Sequence, residues 1–316
     1  MRWKTLAASF ALLGLGVAGA AAWRLSEREA QALADNPPTG RFVTVEGQKV
    51  HLREQGSGPD LVLIHGASGN LRDFTMGLSD RLAEHYHVIT LDRPGLGYSD
   101  PMKDGDSSLG GQARILRGAV AQLGVTQPIV LGQSYGGAVA LAWALQEKPA
   151  ALVLVSAVSM PWPGTLDPWY RLTSSPLGRI TLIPLVAAFV PESYIKKAVE
   201  GVFAPGSPPE DYARRLGVGL TLRRSALAAT VSQINDLRPE VVKMQADYPS
   251  LIMPVELVHG DADTVVPLAI HAQELRPLLP DAILTVIPGA GHMPHHTHPD
   301  VVIAAIDRAA ARARLR

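Results

Sequence analysis

The stretch IVLGQSYGG, residues 129–137, decides the fold of this chain. Its apolar start predicts a buried strand, and a helical stretch follows from Ala138 to Leu145. Between them stands the pattern G-x-S-x-G, whose small residues let neighbouring chains pass close to a tight strand-to-helix turn. Such a turn places the Ser134 hydroxyl above the sheet edge, at a helix N-terminus that favours negative charge. A chance match among 29 glycines is the alternative, but the strand before and the helix after favour Ser134 as a nucleophile.

Short apolar runs alternate with helical stretches from residue 41 to the C-terminus. The expected strands are 41–45, 49–53, 61–64, 88–91, 128–131, 151–155, 254–258 and 282–287, and the expected helices are 110–123, 138–145, 268–279 and 301–311. Strands that alternate with helices predict a doubly wound, mostly parallel α/β sheet. We therefore expect one α/β domain over residues 41–316.

Residues from about 160 to 250 interrupt this alternation. The segment is rich in proline and aromatic residues, and its later part has helical character. An insertion of this length is too long for a simple loop in a compact domain. It predicts a helical cap over the carboxyl edge of the sheet, where ligands bind in open α/β folds.

A serine nucleophile needs a base, and the base needs an orienting group. After a G-x-S-x-G serine, these partners follow in the order Asp or Glu and then His. Asp263 follows the strand 254–258, and His292 follows the last strand, so both stand where a parallel sheet brings loops together. Asp261 directly follows Gly260 and suits a turn. The sequence therefore favours Asp263 as the acid and His292 as the base.

Other histidines lie close to these two positions. His295, His296 and His298 follow the base, and such a cluster raises the alternative of a metal site. The chain has no cysteine, and a metal site would leave the serine and aspartate unexplained. We expect no metal and no other cofactor. We expect His259 to pack beside the site at its strand end.

A tetrahedral oxyanion requires hydrogen-bond donors, which are usually two backbone N–H groups. The residue after the nucleophile, Tyr135, is expected to supply one of them. The loop HGASG, residues 65–69, follows the third strand, and its glycines allow a close approach to Ser134. The predicted second donor is the N–H of Ala67.

Composition excludes several classes of protein. Lys plus Arg and Asp plus Glu number 29 each, so there is no basic excess for binding nucleic acid. The absence of cysteine excludes a thiol nucleophile and disulfide bonds. With 47% hydrophobic residues, the chain can bury a substantial core.

Residues 1–25 predict a signal or anchor segment. Arg2 and Lys4 precede an uncharged run, Thr5–Trp23, whose 19 residues would span roughly 28 Å as a helix. Ala18-Gly19-Ala20 is a candidate cleavage site, and an uncleaved anchor is the other interpretation. Both predict export, with the chain either anchored in the inner membrane and facing outward or secreted. Residues 26–40 are expected to be a polar linker outside the fold.

Five motifs together resemble the α/β-hydrolase superfamily. They are His65-Gly66, Asp92–Ser99, Gly132–Gly136, Asp263-x-x-Val266-Pro267 and Gly291-His292-x-Pro294. The resemblance covers Phe42 to Ala311 and is to the branch with an inserted helical cap, which includes esterases, lactonases, C–C bond hydrolases, epoxide hydrolases and haloalkane dehalogenases. The last two use an aspartate nucleophile, so Ser134 argues against both. Family members often carry Glu where His298 stands, and the 92–99 loop is usually structural there.

The resemblance implies a serine hydrolase that acts on an ester or related acyl bond. The apolar stretch 180–190 in the expected cap suggests a small, partly hydrophobic substrate, although it also suits cap core. C–C bond hydrolysis, perhydrolysis and acyl transfer are alternatives on the same fold. A non-enzymatic binding protein is an alternative of another class.

Overall fold

The computed structural model describes residues 2–316 except 104, 105 and 167, with side chains from residue 19 onward. The strands are β1 (Arg41–Val45), β2 (Gln48–Gln55), β3 (Asp60–Ile64), β4 (His87–Leu91), β5 (Ile129–Gln133), β6 (Ala151–Val155), β7 (Val255–Gly260) and β8 (Ala282–Ile287). The helices are α1 (Arg2–Asp35), α2 (Arg72–Thr75), α3 (Leu78–Leu82), α4 (Leu109–Ala121), α5 (Tyr135–Gln146), α6 (Pro168–Ser174), α7 (Pro176–Phe189), α8 (Glu192–Phe203), α9 (Tyr212–Leu216), α10 (Val218–Thr221), α11 (Arg224–Met244), α12 (Ala272–Leu275), α13 (Pro294–Thr297) and α14 (Pro299–Arg312).

One eight-stranded sheet has the order β1-β2-β4-β3-β5-β6-β7-β8. β2 pairs antiparallel with β1 and β4, and the other neighbours are parallel. β5 and β6 are buried along their whole length, which explains their continuous apolar sequences. The predicted doubly wound, mostly parallel α/β fold is therefore confirmed.

Two apolar cores cover the two faces of the sheet. α4 and α5 supply most of the helical side chains of one core, whereas α3 and α14 supply those of the other. Because parallel strands all end at the same edge, this packing brings the loops after β3, β5, β7 and β8 to one end of the domain.

The segment between β6 and β7 contains helices α6 to α11, followed by a 3₁₀ helix at Gln245–Ser250. α11 is 21 residues long and packs on α6 and α7. We use the name cap for residues 160–250. The cap covers the end of the sheet at which the predicted site residues lie.

Residues 26–35 differ from the linker expected from the sequence, because α1 continues to Asp35 and packs on the cap. Leu25 is buried against Ala187 and Ala188 of α7. The Arg24 and Arg28 side chains donate to the last carbonyls of α7, whose oxygens have no partners within the helix. This segment is rich in Ala, Glu, Arg and Leu, which favour helix.

The predicted helix 268–279 is shorter than expected. α12 covers Ala272–Leu275, and a 3₁₀ turn replaces the rest at Arg276–Leu278. Pro277 lacks the N–H that an α-helix needs, so the helix ends there.

Within the described residues no single helix has the length and apolar character of a membrane span. α6 and α7 meet those criteria only as a pair, with a bend of 110° between them. The predicted signal or anchor run Thr5–Trp23 lies largely outside the residues whose side chains are described, and it stays a prediction.

Candidate active site

Ser134 lies in a tight turn between β5 and α5. Its backbone has φ 52° and ψ −119°, a conformation that costs a non-glycine residue about 1–3 kcal/mol. A Cβ at Gly132 would lie 2.3 Å from the Gly136 carbonyl oxygen, and one at Gly136 would lie 2.2 Å from the Ile64 carbonyl oxygen. The two glycines therefore permit the close packing that holds Ser134 in this turn.

The structure brings Ser134, His292 and Asp263 into one hydrogen-bonded chain. His292 Nε2 lies 2.9 Å from Ser134 Oγ, and His292 Nδ1 lies 2.8 Å from Asp263 Oδ2. All three residues are buried. Asp263 and Ser134 stand 29 and 158 residues before His292 in the chain. The three residues meet because β5, β7 and β8 end at one edge of the sheet.

Asp263 is held as an anion by three hydrogen-bond donors, Val265, Val266 and His292. Its Oδ1 accepts the backbone N–H groups of Val265 and Val266, both at 2.9 Å. Burial raises the pKa of Asp263, but the nearby His259 and His292 side chains outweigh that effect and bring it well below its usual range. A permanent carboxylate at Nδ1 keeps the proton of neutral His292 on that nitrogen. Nε2 is then free to accept the serine proton.

The other aspartate and histidines near the site make different contacts. Asp261 accepts the Gly289 N–H at 2.7 Å at the surface, in the turn position expected for it. His259 Nε2 donates to the Val266 carbonyl at 2.7 Å and lies 3.4 Å from Asp263 Oδ2, on the far side of the acid from the serine. His298 is hydrogen-bonded to Thr297 at the surface.

The two expected oxyanion donors both belong to segments beside Ser134. Within the described residues neither the Ala67 nor the Tyr135 N–H donates a hydrogen bond to the protein backbone or to a side chain. Ala67 and Ser134 both line one cavity, and Tyr135 opens α5 directly after the serine. The arrangement leaves both N–H groups free to bind an oxygen that reacts with Ser134.

Several functional contacts were not predicted from the sequence. Gln133 donates to the His292 carbonyl at 3.3 Å, and Arg93 donates to the carbonyls of His65 and Gly66 in the loop of residues 65–69. Gln233 of the cap accepts from Arg93. Arg93 and Gln133 both lie within motifs described above, whereas no local pattern marks Gln233.

A cavity of about 890 Å³ adjoins Ser134 and His292. Its walls are mostly apolar and come largely from the cap: Trp169, Tyr170, Leu185, Val186, Phe189, Val190, Ile195, Val199, Val202, Leu216, Val218, Leu222, Leu227 and Ile234. Among the described residues that line it there is no Lys or Arg. A larger groove of about 1340 Å³ between α1, α8 and α9 contains none of the three site residues, so the smaller cavity is the one that adjoins the candidate nucleophile.

Two of the clustered histidines belong to a separate polar group. His295 Nε2 and His296 Nε2 lie 3.1 and 2.8 Å from the Asp73 carboxylate, and Tyr212 donates to it at 2.9 Å. Among the described residues these side chains have the spacing of a metal site, with ligand atoms within 4.8 Å. In this arrangement the nitrogens that a metal would need already face the carboxylate.

Comparisons with known proteins identify the family of this chain. The Alpha/beta hydrolase family matches residues 61–305. An uncharacterized protein of Mycobacterium tuberculosis is 31% identical over 282 residues, which are 86% of this chain and 81% of the relative.

Solved structures show the same fold. An α/β hydrolase fold protein from Burkholderia ambifaria superposes with a TM-score of 0.72 at 26% identity, over 84% of this chain and 96% of that one. A membrane phospholipase A, described as a bacterial virulence factor, has a TM-score of 0.66 at 24% identity, over 97% and 99%. This chain belongs to the α/β hydrolase family. It is a hydrolase, and its family implies small-molecule substrates.

Proposed function

We propose that the protein is a serine hydrolase that cleaves an ester or related acyl bond through an acyl-Ser134 intermediate. The observation that carries this proposal is the buried chain from Asp263 through His292 to Ser134, which ends beside an apolar cavity. A serine in this turn, rather than an aspartate, suits attack on an acyl carbon.

In the proposed reaction, Ser134 Oγ attacks the acyl carbon while His292 Nε2 takes its proton. The carbonyl oxygen becomes an oxyanion that the N–H groups of Ala67 and Tyr135 stabilise. His292 then gives the proton to the leaving alcohol as the C–O bond breaks. In the second half, His292 takes a proton from water, whose oxygen attacks the acyl carbon, and it returns that proton to Ser134 Oγ as the bond between the serine and the acyl carbon breaks. Asp263 stabilises the imidazolium in both halves.

The cavity supports an uncharged, partly hydrophobic substrate. The cap wall consists of Leu, Val, Ile and aromatic side chains. Binding of an apolar substrate group against it is favourable by about 25 cal/mol for each Å² of apolar surface removed from water. A carboxylate or phosphate in the cavity would find no lysine or arginine among the described lining residues. We therefore expect neutral esters with an alkyl or aryl acyl group to be preferred.

Covalent labelling by a fluorophosphonate tests the serine. The full chain in detergent should gain one adduct by intact mass, and Ser134→Ala should gain none. Ser207→Ala removes an exposed serine of the cap and should label like the wild type. A folded wild-type protein that stays unlabelled and hydrolyses no ester would overturn the proposal and favour a binding protein.

A series of p-nitrophenyl esters then tests the substrate class. We expect kcat/KM to rise from acetyl to medium acyl chains, because each buried CH₂ contributes about 0.8 kcal/mol. A preference for acetate, or for esters that carry a charged acyl group, would contradict the apolar substrate. Measuring transfer to added alcohols or peroxide in the same assay separates hydrolysis from acyl transfer and perhydrolysis.

We further propose that the protein is exported and held at the membrane by its N-terminal segment. The uncharged run Thr5–Trp23 behind Arg2 and Lys4 supports this location. Large apolar side chains are exposed nearby, including Trp23 on α1 and Leu177 and Ile180 on α7, which packs against α1. Fractionation should find the full chain in the membrane, with an intact N-terminus by sequencing. Recovery of a chain cleaved near residue 20 in the soluble exported fraction would contradict anchoring.

A further inference from the structure

Arg93 is a buried cation with no anionic partner. Its side chain is wholly buried, and no carboxylate among the described residues pairs with it. Burial lowers the pKa of Arg93 to about 10, so it stays protonated at neutral pH. Its donors reach only neutral oxygens: the carbonyls of His65 and Gly66, each at 2.9 Å, and the side-chain amides of Gln112 and Gln233 at 2.8 and 2.7 Å.

Two donors converge on the Gly66 carbonyl oxygen. Arg93 Nη2 is one, and His65 Nδ1, also at 2.9 Å, is the other. The backbone N–H of Arg93 donates to His65 Nε2 at 3.0 Å, which fixes the ring proton on Nδ1. Burial lowers the pKa of His65 to about 4, so the ring is neutral, and among the described residues Arg93 alone supplies a charged hydrogen bond to this oxygen.

The Gly66 carbonyl and the Ala67 N–H belong to one peptide group. That peptide is trans, so its C=O and N–H point in opposite directions. Arg93 is a cation that contacts the carbonyl oxygen of this peptide group. It therefore draws electron density away from the N–H at the opposite side of the same group. We propose that Arg93 is a positioning residue that polarises the Gly66–Ala67 peptide and strengthens Ala67 as an oxyanion donor. The inference rests on the proposed function of Ser134.

The same guanidinium contacts the residue that carries the second donor. Arg93 lies over the Tyr135 ring, 4.2 Å from its centroid. Gln112 accepts from Arg93 and donates to the Tyr135 hydroxyl at 3.0 Å. Arg93 therefore packs against both segments that carry oxyanion donors. Because no carboxylate neutralises it, its charge also favours negative charge in the site.

The ionisation of a tetrahedral adduct separates this electrostatic role from simple support of the loop. An alkyl trifluoromethyl ketone forms a bond between Ser134 Oγ and its carbonyl carbon, while the serine proton passes to His292. The former carbonyl oxygen is then the hydroxyl or oxyanion oxygen of a hemiketal, depending on the pH. The pKa of that hydroxyl is measured by ¹⁹F NMR at several pH values. A stronger oxyanion hole lowers that pKa, whereas a loosened loop would mainly raise KM.

Arg93→Met removes the charge and keeps an apolar side chain over Tyr135. We expect kcat on a p-nitrophenyl ester to fall about 10- to 100-fold, with KM changed less than about threefold. The hemiketal pKa should rise by about 1 to 2. A folded Arg93→Met protein with the wild-type hemiketal pKa would overturn the inference.

Arg93→Lys keeps the charge but lacks the two-pronged fork, so it is the variant to rely on if Arg93→Met does not fold. We expect a fall in kcat of about three- to tenfold and a hemiketal pKa higher by about 0.5 to 1. A folded Arg93→Lys protein that loses kcat by the roughly 10- to 100-fold expected for a neutral side chain would overturn the inference, because the retained charge would then contribute nothing, and it would leave the proposed function in place. A wild-type protein that forms no hemiketal would overturn the proposed function as well.

Discussion

Two buried aspartates of this molecule are each bound by two histidines, and only one of these groups reaches a nucleophile. Asp263 contacts His292 and His259, and Asp73 contacts His295 and His296. In both groups the carboxylate has its pKa held well below the usual range, against the effect of burial. Composition and burial alone would not tell them apart.

The groups differ in what lies beyond the histidine. His292 presents Nε2 to Ser134 at 2.9 Å, whereas both Nε2 atoms of the other pair face Asp73 itself. The remaining nitrogen of His295, Nδ1, is buried without a hydrogen-bond partner among the described residues. The direction of the imidazole, and not its carboxylate, therefore distinguishes a candidate base from a structural residue.

The Asp73 group instead joins three parts of the fold. Asp73 belongs to α2, the two histidines to α13, and Tyr212 to α9 of the cap. We infer that it holds the cap against the loop that carries His292. The difference predicts that changes at Asp263 affect chemistry, whereas changes at Asp73 affect stability.

The largest expected contrast is between the histidines. His292→Gln should lower kcat by about 10⁴-fold or more, because Ser134 loses its base. His295→Gln should keep kcat within about tenfold of the wild type and lower the free energy of unfolding instead. Ester hydrolysis and urea unfolding on both variants measure this contrast. Equal losses of kcat would show that the two groups act as one.

The aspartates provide the next contrast. Asp263→Asn should reduce kcat about 10³- to 10⁴-fold, since an amide holds His292 in the wrong tautomer. Asp73→Asn should cost about 2–4 kcal/mol of unfolding free energy with kcat within tenfold, because buried donors lose their anion. Asp261→Asn, at the surface turn, is the matched control and should change neither quantity appreciably.

Acid should destabilise the protein through buried neutral histidines. Burial lowers the pKa values of His65, His271 and His295 to about 4, so between about pH 6.5 and 4 the unfolded chain binds protons that the folded chain does not. The free energy of unfolding should therefore fall as the pH falls through this range, by up to about 3 kcal/mol for each histidine.

Urea unfolding at several pH values measures this fall. His295→Gln removes one of the three groups, so its slope should be smaller by about one proton, or 1.36 kcal/mol per pH unit. An unchanged slope in this variant would place the acid sensitivity outside the Asp73 group.

The smallest effect is expected at the cap. Tyr212→Phe removes one of three donors to Asp73 and should lower the free energy of unfolding by about 1–2 kcal/mol. Limited proteolysis should cleave within residues 160–250 faster than in the wild type. Tyr194→Phe alters an exposed tyrosine of the cap and is the control. Equal proteolysis of Tyr212→Phe and the wild type would contradict a role in holding the cap.

Strand positions were predictable because buried parallel strands leave continuous apolar runs in the sequence. β6 and β8 have the expected bounds, β3 differs by one residue at its start, and β5 and β7 differ by one residue at the start and two at the end. The expectation was wrong where a contact between distant segments decides the conformation. The segment before β1 reads as a polar linker, yet it is helical because Arg24 and Arg28 bind the end of α7.

The sequence by itself determined the strand order along the chain, the serine turn and the candidate acid and base. These depend on local chemistry: glycines around Ser134, apolar runs, and a fixed order of residues at strand ends. The tertiary structure alone decided that His295 and His296 face Asp73 and that Arg93 lies behind the loop of residues 65–69. Asp73 and Arg93 meet partners up to 223 and 140 residues away, and no local pattern records such distances. The physical reason is that hydrogen-bond direction in a buried site depends on packing between elements, which neighbouring residues do not specify.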